Sequence, residues 1–396
     1  MTRRRVGFSP PIPEGGGLKP ALRWLDSLQG SGIRPGLTRM RAMLRVLGNP
    51  QRAYPSIIVA GTNGKGSTSA MLTSILLAAG KRAAHYTSPH LVDLRERWTI
   101  GGREIEPALL EECIVALQRA PGITPTYFEA LTLIAFLAFA RAECEIAVLE
   151  VGMGGRLDAT NVVQPVASVI TPIGMDHMEY LGNTLRAIAR EKAGVIHRGA
   201  VVLTSNDDPV VLDVLRQRAE KFGNRFIHVT EEHDAPLPGA FQRRNAGLAA
   251  RTARELGYTD AGLMQTRWRG RLERIEHAGK TIWIDGGHNA HAIAQTAPFF
   301  EEHVARPRLL VFGIMGDKDV PPVVDRLFPM FDRVIATEPY PPRSVPASSF
   351  ANATPIPNPE EAFAAALRAD ERNIVITGSL YLAGAAIAFF DKIRRP

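Results

Sequence analysis

The stretch "IIVAGTNGKGSTSAML", Ile57 to Leu72, decides the fold. Four apolar residues, a glycine-rich turn and a helix-forming run follow one another, which is the order strand, loop, helix. Phosphate-binding loops of this kind are usually spelled Gly, four residues, Gly-Lys, then Ser or Thr. Here Gly64-Lys65 is followed by Gly66, Ser67 comes one place late, and Val59 stands where the first glycine is expected. The spelling alone leaves two readings open, a nucleotide site or a glycine-rich turn that happens to hold a lysine. The run after the loop predicts a helix with Met71, Leu72, Ile75, Leu76 and Ala79 on its buried face and Gly80 just past its end. Amides at the start of such a helix favour a phosphate, and Lys65 adds a full charge.

The rhythm of this stretch continues along the chain. "RAAHY" (82–86), "EIAVLEV" (145–151), "VASVIT" (166–171) and "AVVLT" (200–204) are short apolar runs between helical segments. They predict an α/β domain with a mainly parallel sheet covered on both faces. "TIWID" (281–285), "RLLVFG" (308–313), "RVIAT" (333–337) and "NIVIT" (373–377) predict a second, smaller α/β domain of Rossmann-like type, with helices around 290–303, 320–330, 359–370 and 380–392. Two domains suit a chain of 396 residues. The expected limits are 1–272 for an N-terminal P-loop domain and 273–396 for the second. Before the loop, "LRWLDSLQGSGIRPGLTRMRAMLRVLG" predicts two short amphipathic helices, with Trp24, Leu25 and Leu28 on one face and Met40, Met43, Leu44 and Leu47 on another.

Formal net charge is +7, which suits an anionic partner without choosing among nucleotide, polycarboxylate, nucleic acid and membrane surface. Two cysteines, Cys113 and Cys144, are too few for a disulfide framework and point to a reducing compartment, the cytoplasm. The start, "MTRRRVGFSPPIPEGGG", lacks the apolar stretch of a secretory signal, and "LTLIAFLAFA" (131–140) is about half the length needed to span a bilayer. We read that run as a buried helix.

Ligands of open α/β sheets bind beyond the carboxyl ends of the strands. The second strand ends at Thr87-Ser88-Pro89-His90, the third at Glu150, and the fourth leads into "PIGMDHMEY" with Asp176 and His177. Oxygen and imidazole groups from three strand ends, together with a phosphate loop, are what a nucleotide-bound Mg²⁺ requires. Singly, each has a plainer reading: a turn at Ser88, an arginine partner for Glu150, a loop hydrogen bond for His177. In "EVGMGGRLDATN", Gly152, Gly154 and Gly155 allow close backbone approach, and Asn183 is placed to cap a helix ending at Gly194. Lys192 in that helix's last turn reads, on chemistry alone, as a complement to the helix dipole.

The collected segments resemble the folylpolyglutamate synthase/dihydrofolate synthase family of the Mur ligase superfamily. "VAGTNGKGST", "YTSPHL", "TYFEALTLIAF", "LEVGMGGRLDATN", "MDHMEYLGNTLRAIAREKAGVI", "FQRRNAGLAA", "RGRLE", "IDGGHNAHA" and "GDKD" carry the resemblance over nearly the whole chain. The late serine is that family's own spelling of the loop. The resemblance implies that Gly61, Thr62, Asn63, Gly64, Lys65, Gly66 and Ser67 hold ATP phosphates, and that Ser88, Glu150 and His177 bind Mg²⁺. It implies a carbamylated Lys192 in the metal site and ATP contacts from Asn245, Arg271 and Asp285, with Lys65, Lys192 and His177 as the catalytic set. It places the pteroate or folate acceptor at Thr126, Tyr127, Phe128, Glu129, Leu157, Asp158 and Ala159, and L-glutamate at His288 and Ser379.

The implied activity is ATP-dependent ligation of L-glutamate to dihydropteroate, a reduced folate, or both, in folate biosynthesis and one-carbon metabolism. The acceptor carboxylate becomes an acyl phosphate, which the glutamate amine then displaces, and domain closure completes the site. The expected partners are small molecules only, on a monomer, with no nucleic acid and no membrane. His288 and His291 have the spacing of a zinc pair, but two histidines alone make a poor structural site. Two other readings compete. A wall-synthesis ligase for a UDP-sugar peptide usually carries a further N-terminal domain, for which the roughly 55 residues before the loop are too few. An ATP-driven nucleic-acid-binding protein would use the "RRR" and "RWRGR" clusters but lacks a stacking platform.

Overall fold

Ser56–Ala60 (β1), buried at all five positions, runs parallel to a neighbour on each side, with Val59 opposite Glu150 on one and Val169 on the other. A strand buried on both faces needs apolar residues at successive positions, and Ile57, Ile58, Val59 and Ala60 supply them. The structure, a computed structural model, describes residues 18–32, 34–122 and 124–394. The proline-rich start with its "RRR" cluster lies outside the described residues.

The first sheet continues with Ala83–Tyr86 (β2), Trp98–Ile100 (β3), Arg103–Glu104 (β4), Ile146–Glu150 (β5), Ala167–Ile170 (β6), Val201–Thr204 (β7) and Phe226–His228 (β8). Their spatial order is β4-β3-β2-β5-β1-β6-β7-β8. Pairing is parallel from β2 to β8 and antiparallel where β3 and β4 extend one edge. From β1 the chain passes to β2 on one side, and from β5 it crosses to β6 on the other. Such a reversal opens a crevice beyond the strand ends.

Alternation along the strands sorts the packing. Ala84 and Tyr86 of β2 and Ala147 and Leu149 of β5 join one core cluster with the helices Lys19–Ser27, Thr38–Val46, Pro107–Arg119 and Tyr127–Arg141. That cluster contains Leu25, Leu28, Met40, Met43 and Leu44 of the two expected N-terminal helices, and the apolar run 131–140 lies within the buried helix Tyr127–Arg141. His85 points the other way, towards the helix Lys65–Ala78 that follows the glycine-rich loop. This helix is buried from Gly66 to Thr73, more completely than a one-faced pattern predicts, while Ala79 is exposed. It ends as expected, with Gly80 at φ +76 and the Lys81 amide bonded back to the Leu76 carbonyl.

The second sheet comprises Glu273–His277 (β9), Lys280–Ile284 (β10), Arg308–Phe312 (β11), Arg333–Ala336 (β12), Thr354–Pro355 (β13) and Asn373–Thr377 (β14), in the order β13-β12-β11-β14-β10-β9. Only the β9–β10 pair is antiparallel. Its core gathers Ile293, Phe300, Leu310, Phe312, Val323, Leu327 and Val375. The fully buried Arg308 donates to Phe300 O at 2.6 Å, Met330 O at 2.7 Å and Val304 O at 2.8 Å, and its Nη2 lies 3.0 Å from a Glu301 carboxylate oxygen. A buried cation without such partners would cost several kcal/mol, on the order of 3–5.

By internal contacts the chain forms two compact units. Of the described residues, the first contains those up to 173 with 181–234 and 244–266; the second contains 174–180, 235–243 and those from 267 onward. Among the described residues no helix is long and apolar enough to cross a membrane.

Candidate active site

Four neighbouring strands, β2, β5, β1 and β6, end on the same side of the first sheet. β1 delivers the loop 61–67, and the chain beyond β6 holds that loop in place. Gly61 has φ +151, and a Cβ there would lie 1.8 Å from Thr171 Oγ1. The amides of Thr62 and Asn63 donate to the Pro172 carbonyl at 2.9 and 3.2 Å. These two amides are therefore spent on the protein, and the amides left for a phosphate are those from Gly64 onward. Gly64, at φ +83, is the residue before the helix, and a Cβ on it would lie 2.5 Å from the side-chain oxygen of the buried Asn245. Lys65 Nζ donates to the Thr62 carbonyl at 3.1 Å, so its stem folds back over the loop.

Lys192 is buried, and its Nζ donates to the Gly61 carbonyl at 2.7 Å. Its position in the last turn of Leu185–Lys192 stands, but the group it satisfies is the loop rather than its own helix end. A hydrogen bond from a charged donor contributes about 1.5–3 kcal/mol, more than an exposed dipole interaction. The cap of this helix is Thr184, whose Oγ1 accepts from the Ala187 amide at 3.2 Å, and not the expected Asn183.

At the ends of β2 and β5, the buried Glu150 carboxylate accepts from Thr87 Oγ1 and, at 3.4 Å, from the Ser88 amide. Ser88 Oγ is buried and, among the described residues, has no hydrogen-bond partner. An orphaned hydroxyl beside a carboxylate forms an oxygen donor set of the kind a hard cation takes. Thr87, one residue before the expected Ser88, was not singled out from the sequence.

The glycines of "EVGMGG" approach protein. A Cβ on Gly152 would lie 2.4 Å from the Phe128 ring, and one on Gly155 would lie 2.9 Å from the Glu191 carbonyl. Asp158, also expected to touch the acceptor, spends its carboxylate on this loop, accepting from the amides of Gly152 and Met153 at 3.1 Å, from the Thr160 amide at 2.9 Å and from Thr160 Oγ1 at 2.6 Å. Glu129 does the same for its helix: with Thr126 it forms a capping box, accepting from the Thr126 amide at 2.7 Å, and it pairs with Arg39 at 3.0 Å. Of the expected acceptor residues, Tyr127 and Ala159 are buried in the core, Phe128 is half-buried near Tyr86, and Leu157 is exposed.

His177 lies in Gly174–Tyr180, which belongs to the second unit, whereas Ser88 and Glu150 belong to the first. Asp176 anchors that segment: Lys318 Nζ lies 2.8 Å from its Oδ1, and Asn289 Nδ2 donates to its Oδ2 at 2.9 Å. Burial opposes the charge on this carboxylate, but Lys318, His177 and His288 together hold it well below the usual carboxylate range. His177, left-handed at φ +52, has its Nε2 only 3.4 Å from Lys318 Nζ, and burial with that cation pushes its imidazole down to about 4.

His288 Nδ1 lies 2.9 Å from the Gly286 carbonyl, and its Nε2 is 3.8 Å from Asp176. Ser379 Oγ accepts from the Tyr381 amide at 3.1 Å. Asp285 accepts from the amides of Gly287 at 2.8 Å and Leu272 at 3.1 Å, and burial raises its pKa against the nearby Arg271. Arg271 donates to the Gly270 carbonyl at 2.9 Å.

With this geometry in place, comparison with known proteins decides the family. Residues 59–253 match the Mur ligase middle domain and residues 270–380 the Mur ligase glutamate ligase domain. A Bacillus subtilis dihydrofolate synthase/folylpolyglutamate synthase is 32% identical over 91% of this chain and 96% of its own length. The chain belongs to the folylpolyglutamate synthase/dihydrofolate synthase family of Mur ligases.

Solved members of that family have the same fold. A Mycobacterium tuberculosis folylpolyglutamate synthase complexed with ADP and AMPPCP superposes with TM-score 0.84 at 34% identity, covering 94% of this chain and 98% of its own. E. coli FolC in complex with DHPP and ADP gives TM-score 0.86 at 27% identity, covering 94% and 98%. As in the family, this chain is a ligase with a large mainly parallel sheet and a second α/β sheet.

Beneath the family's loop lies a buried histidine that the sequence reading passed over. His85 Nε2 lies 2.9 Å from Ser69 Oγ, and burial pushes its imidazole down to about 3. Its folded pKa lies below the unfolded value of about 6.5, so the unfolded chain takes up the proton first as pH falls. Its contribution to stability is full above about pH 6.5 and is lost progressively towards pH 3. The urea midpoint should therefore fall between pH 7 and pH 4.5 by more in the native protein than in His85→Gln; equal falls would remove His85 from this account.

Proposed function

We propose that this ligase joins L-glutamate to the carboxylate of dihydropteroate or a reduced folate, driven by ATP bound at the loop of β1. The observation that carries the reading is the gathering of that loop, the orphaned Ser88 hydroxyl and the Glu150 carboxylate at the ends of adjacent strands. A carboxylate is a poor electrophile, so its oxygen first attacks the γ-phosphate and forms an acyl phosphate with release of ADP. The glutamate amine then attacks the acyl carbon, phosphate leaves, and the amine loses a proton. For the first step the protein aligns the reactants and offsets phosphate charge, the work of Lys65 and the amides from Gly64 to Ser67. Water must be kept from the acyl phosphate, which it would hydrolyse.

Ser88 and Glu150 are the residues that would hold Mg²⁺, and the ion, when bound, supplies charge neutralisation at the phosphates. Both are oxygen donors, and two protein ligands suffice for an ion that keeps waters and phosphate oxygens. The resemblance gives His177 a ligand role as well. Its own surroundings give that role no support, because the atom that would ligate faces the Lys318 ammonium, and we leave it out of the proposed set. A carbamylated Lys192 would retain one N–H on Nζ for the Gly61 carbonyl while presenting a new carboxylate.

Asn245 is proposed to contact ATP through its place against Gly64, with Arg271 and Asp285 as further ATP contacts. Phe128 and Leu157 are the proposed acceptor contacts among the expected seven, since Glu129 and Asp158 already serve as caps. His288 and Ser379 in the second unit are proposed for glutamate. We place the enzyme in the cytoplasm, acting on small molecules as a monomer.

Purified protein given ATP, Mg²⁺, labelled glutamate and either dihydropteroate or a reduced folate should yield acceptor heavier by one or more glutamates, and Lys65→Ala should lose that product while staying folded. No product from either acceptor, or full activity in Lys65→Ala, contradicts the reading. Lys192→Ala should be nearly inactive and recover in part with added formate or acetate; activity close to native without additive removes the carbamate.

A further inference from the structure

The phosphate loop contains a weakness that its own sequence creates. Gly66 follows Lys65 directly, and glycine has neither a side chain to anchor it nor a Cβ to restrict its backbone. Yet the peptide joining Gly66 to Ser67 must be fixed, because the Ser67 amide belongs to the first helical turn and points out of the helix's N-terminal end. A peptide is planar, so whatever orients the Gly66 carbonyl also orients the Ser67 N–H on its opposite edge.

That carbonyl is held from below. Ser69 Oγ donates to it at 3.0 Å, in buried surroundings. Ser69 is itself held twice: Thr73 Oγ1 donates to its carbonyl at 2.8 Å, and His85 Nε2 lies 2.9 Å from its hydroxyl oxygen. A serine hydroxyl has one proton to give. With that proton on the Gly66 carbonyl, the bond from His85 must run the other way, Nε2–H donating and Oγ accepting. This places a proton on Nε2, and since burial keeps the imidazole neutral, His85 is the Nε2-protonated tautomer.

His85, Ser69 and Thr73 are all buried, and a buried polar group costs free energy unless its partners are present. The pair spans from the middle of the sheet to the first turn of the helix, since His85 occupies β2 and Ser69 the helix Lys65–Ala78. Tyr86, the next residue on β2, points to the opposite face and into the core cluster, so the strand's alternation aims His85 at Ser69.

We infer that His85 and Ser69 are a positioning pair for nucleotide binding, which sets the Gly66–Ser67 peptide through a relay of two hydrogen bonds. Neither residue touches ATP in this arrangement; both act through the loop. The inference rests on reading that loop as the ATP site.

The test is steady-state kinetics on the intact enzyme with each substrate varied in turn, together with direct titration of ADP. Ser69→Ala removes the relay with almost no change in volume, and His85→Leu removes only its lower half. His85→Gln places an amide N–H close to where Nε2–H stood. In Ser69→Ala the KM for ATP and the ADP dissociation constant should rise about three- to tenfold, with the KM values for glutamate and acceptor unchanged. His85→Leu should rise by a smaller factor, and His85→Gln should recover at least half of that loss.

A folded Ser69→Ala with native ADP affinity overturns the inference, as does a rise in all three KM values together, which is the mark of general loosening. His85→Gln behaving like His85→Leu also overturns it. Should His85→Leu fail to fold, Ser69→Ala decides alone. Lys65→Ala separates the two levels: if it keeps native ADP affinity the loop reading itself fails, and if it loses affinity while Ser69→Ala does not, only the relay fails.

Discussion

Everything proposed for this enzyme depends on holding one short, glycine-rich loop still. Residues 61–67 must present backbone amides to a highly charged ligand, which requires glycine and forbids bulk. The rigidity is supplied from outside. Thr171 closes against Gly61, the Pro172 carbonyl takes two loop amides, Lys192 caps the Gly61 carbonyl, and Asn245 packs on Gly64. These partners come from three distant parts of the chain, so the loop is well formed only once the sheet has assembled. Loop order and global folding are thus one requirement.

The same economy recurs around the loop. Asp158 and Glu129 look like candidate acceptor contacts, yet each uses its oxygens to satisfy backbone amides and to keep a turn or helix start in place. Desolvation explains the pattern: a buried carboxylate with several N–H donors is tolerable, and one waiting for a substrate is costly. Two buried hydroxyls near the loop, those of Ser88 and Thr68, have no hydrogen-bond partner among the described residues, and Ser88 falls beside Glu150 where a cation is proposed. An unsatisfied group in an otherwise satisfied neighbourhood is the stronger pointer to a ligand.

Much of this was legible from the residues. Continuous apolar runs marked the central strands of both sheets to within a residue or two, because strands buried on both faces cannot hide their composition. The edges were not legible: β3 and β4 are short and partly charged, and β9 alternates polar residues, as edges exposed to water permit. Among site residues, Ser88, Glu150, Lys65 and Asn245 lie at or against the ends of the first sheet, as strand-end logic requires. The second ends of their hydrogen bonds could not be read, since Thr171, Pro172 and His85 are remote in sequence from the loop and ordinary in composition. Nor could the ties of the segment holding His177 be read, since Asp176 meets Lys318 and Asn289, both remote from it in sequence.

The central claim is that the turn before the helix Lys65–Ala78 is a ligand site whose geometry is set by close packing. Calorimetric titration with ADP and Mg²⁺ tests it on two variants with matched backbone strain. Gly64 and Gly80 have φ of +83 and +76, but an added Cβ meets Asn245 at 2.5 Å in the first case and nothing within 4 Å in the second. Gly64→Ala should abolish or severely weaken ADP binding, while Gly80→Ala should bind as the native enzyme does. Native affinity in a folded Gly64→Ala would contradict the account.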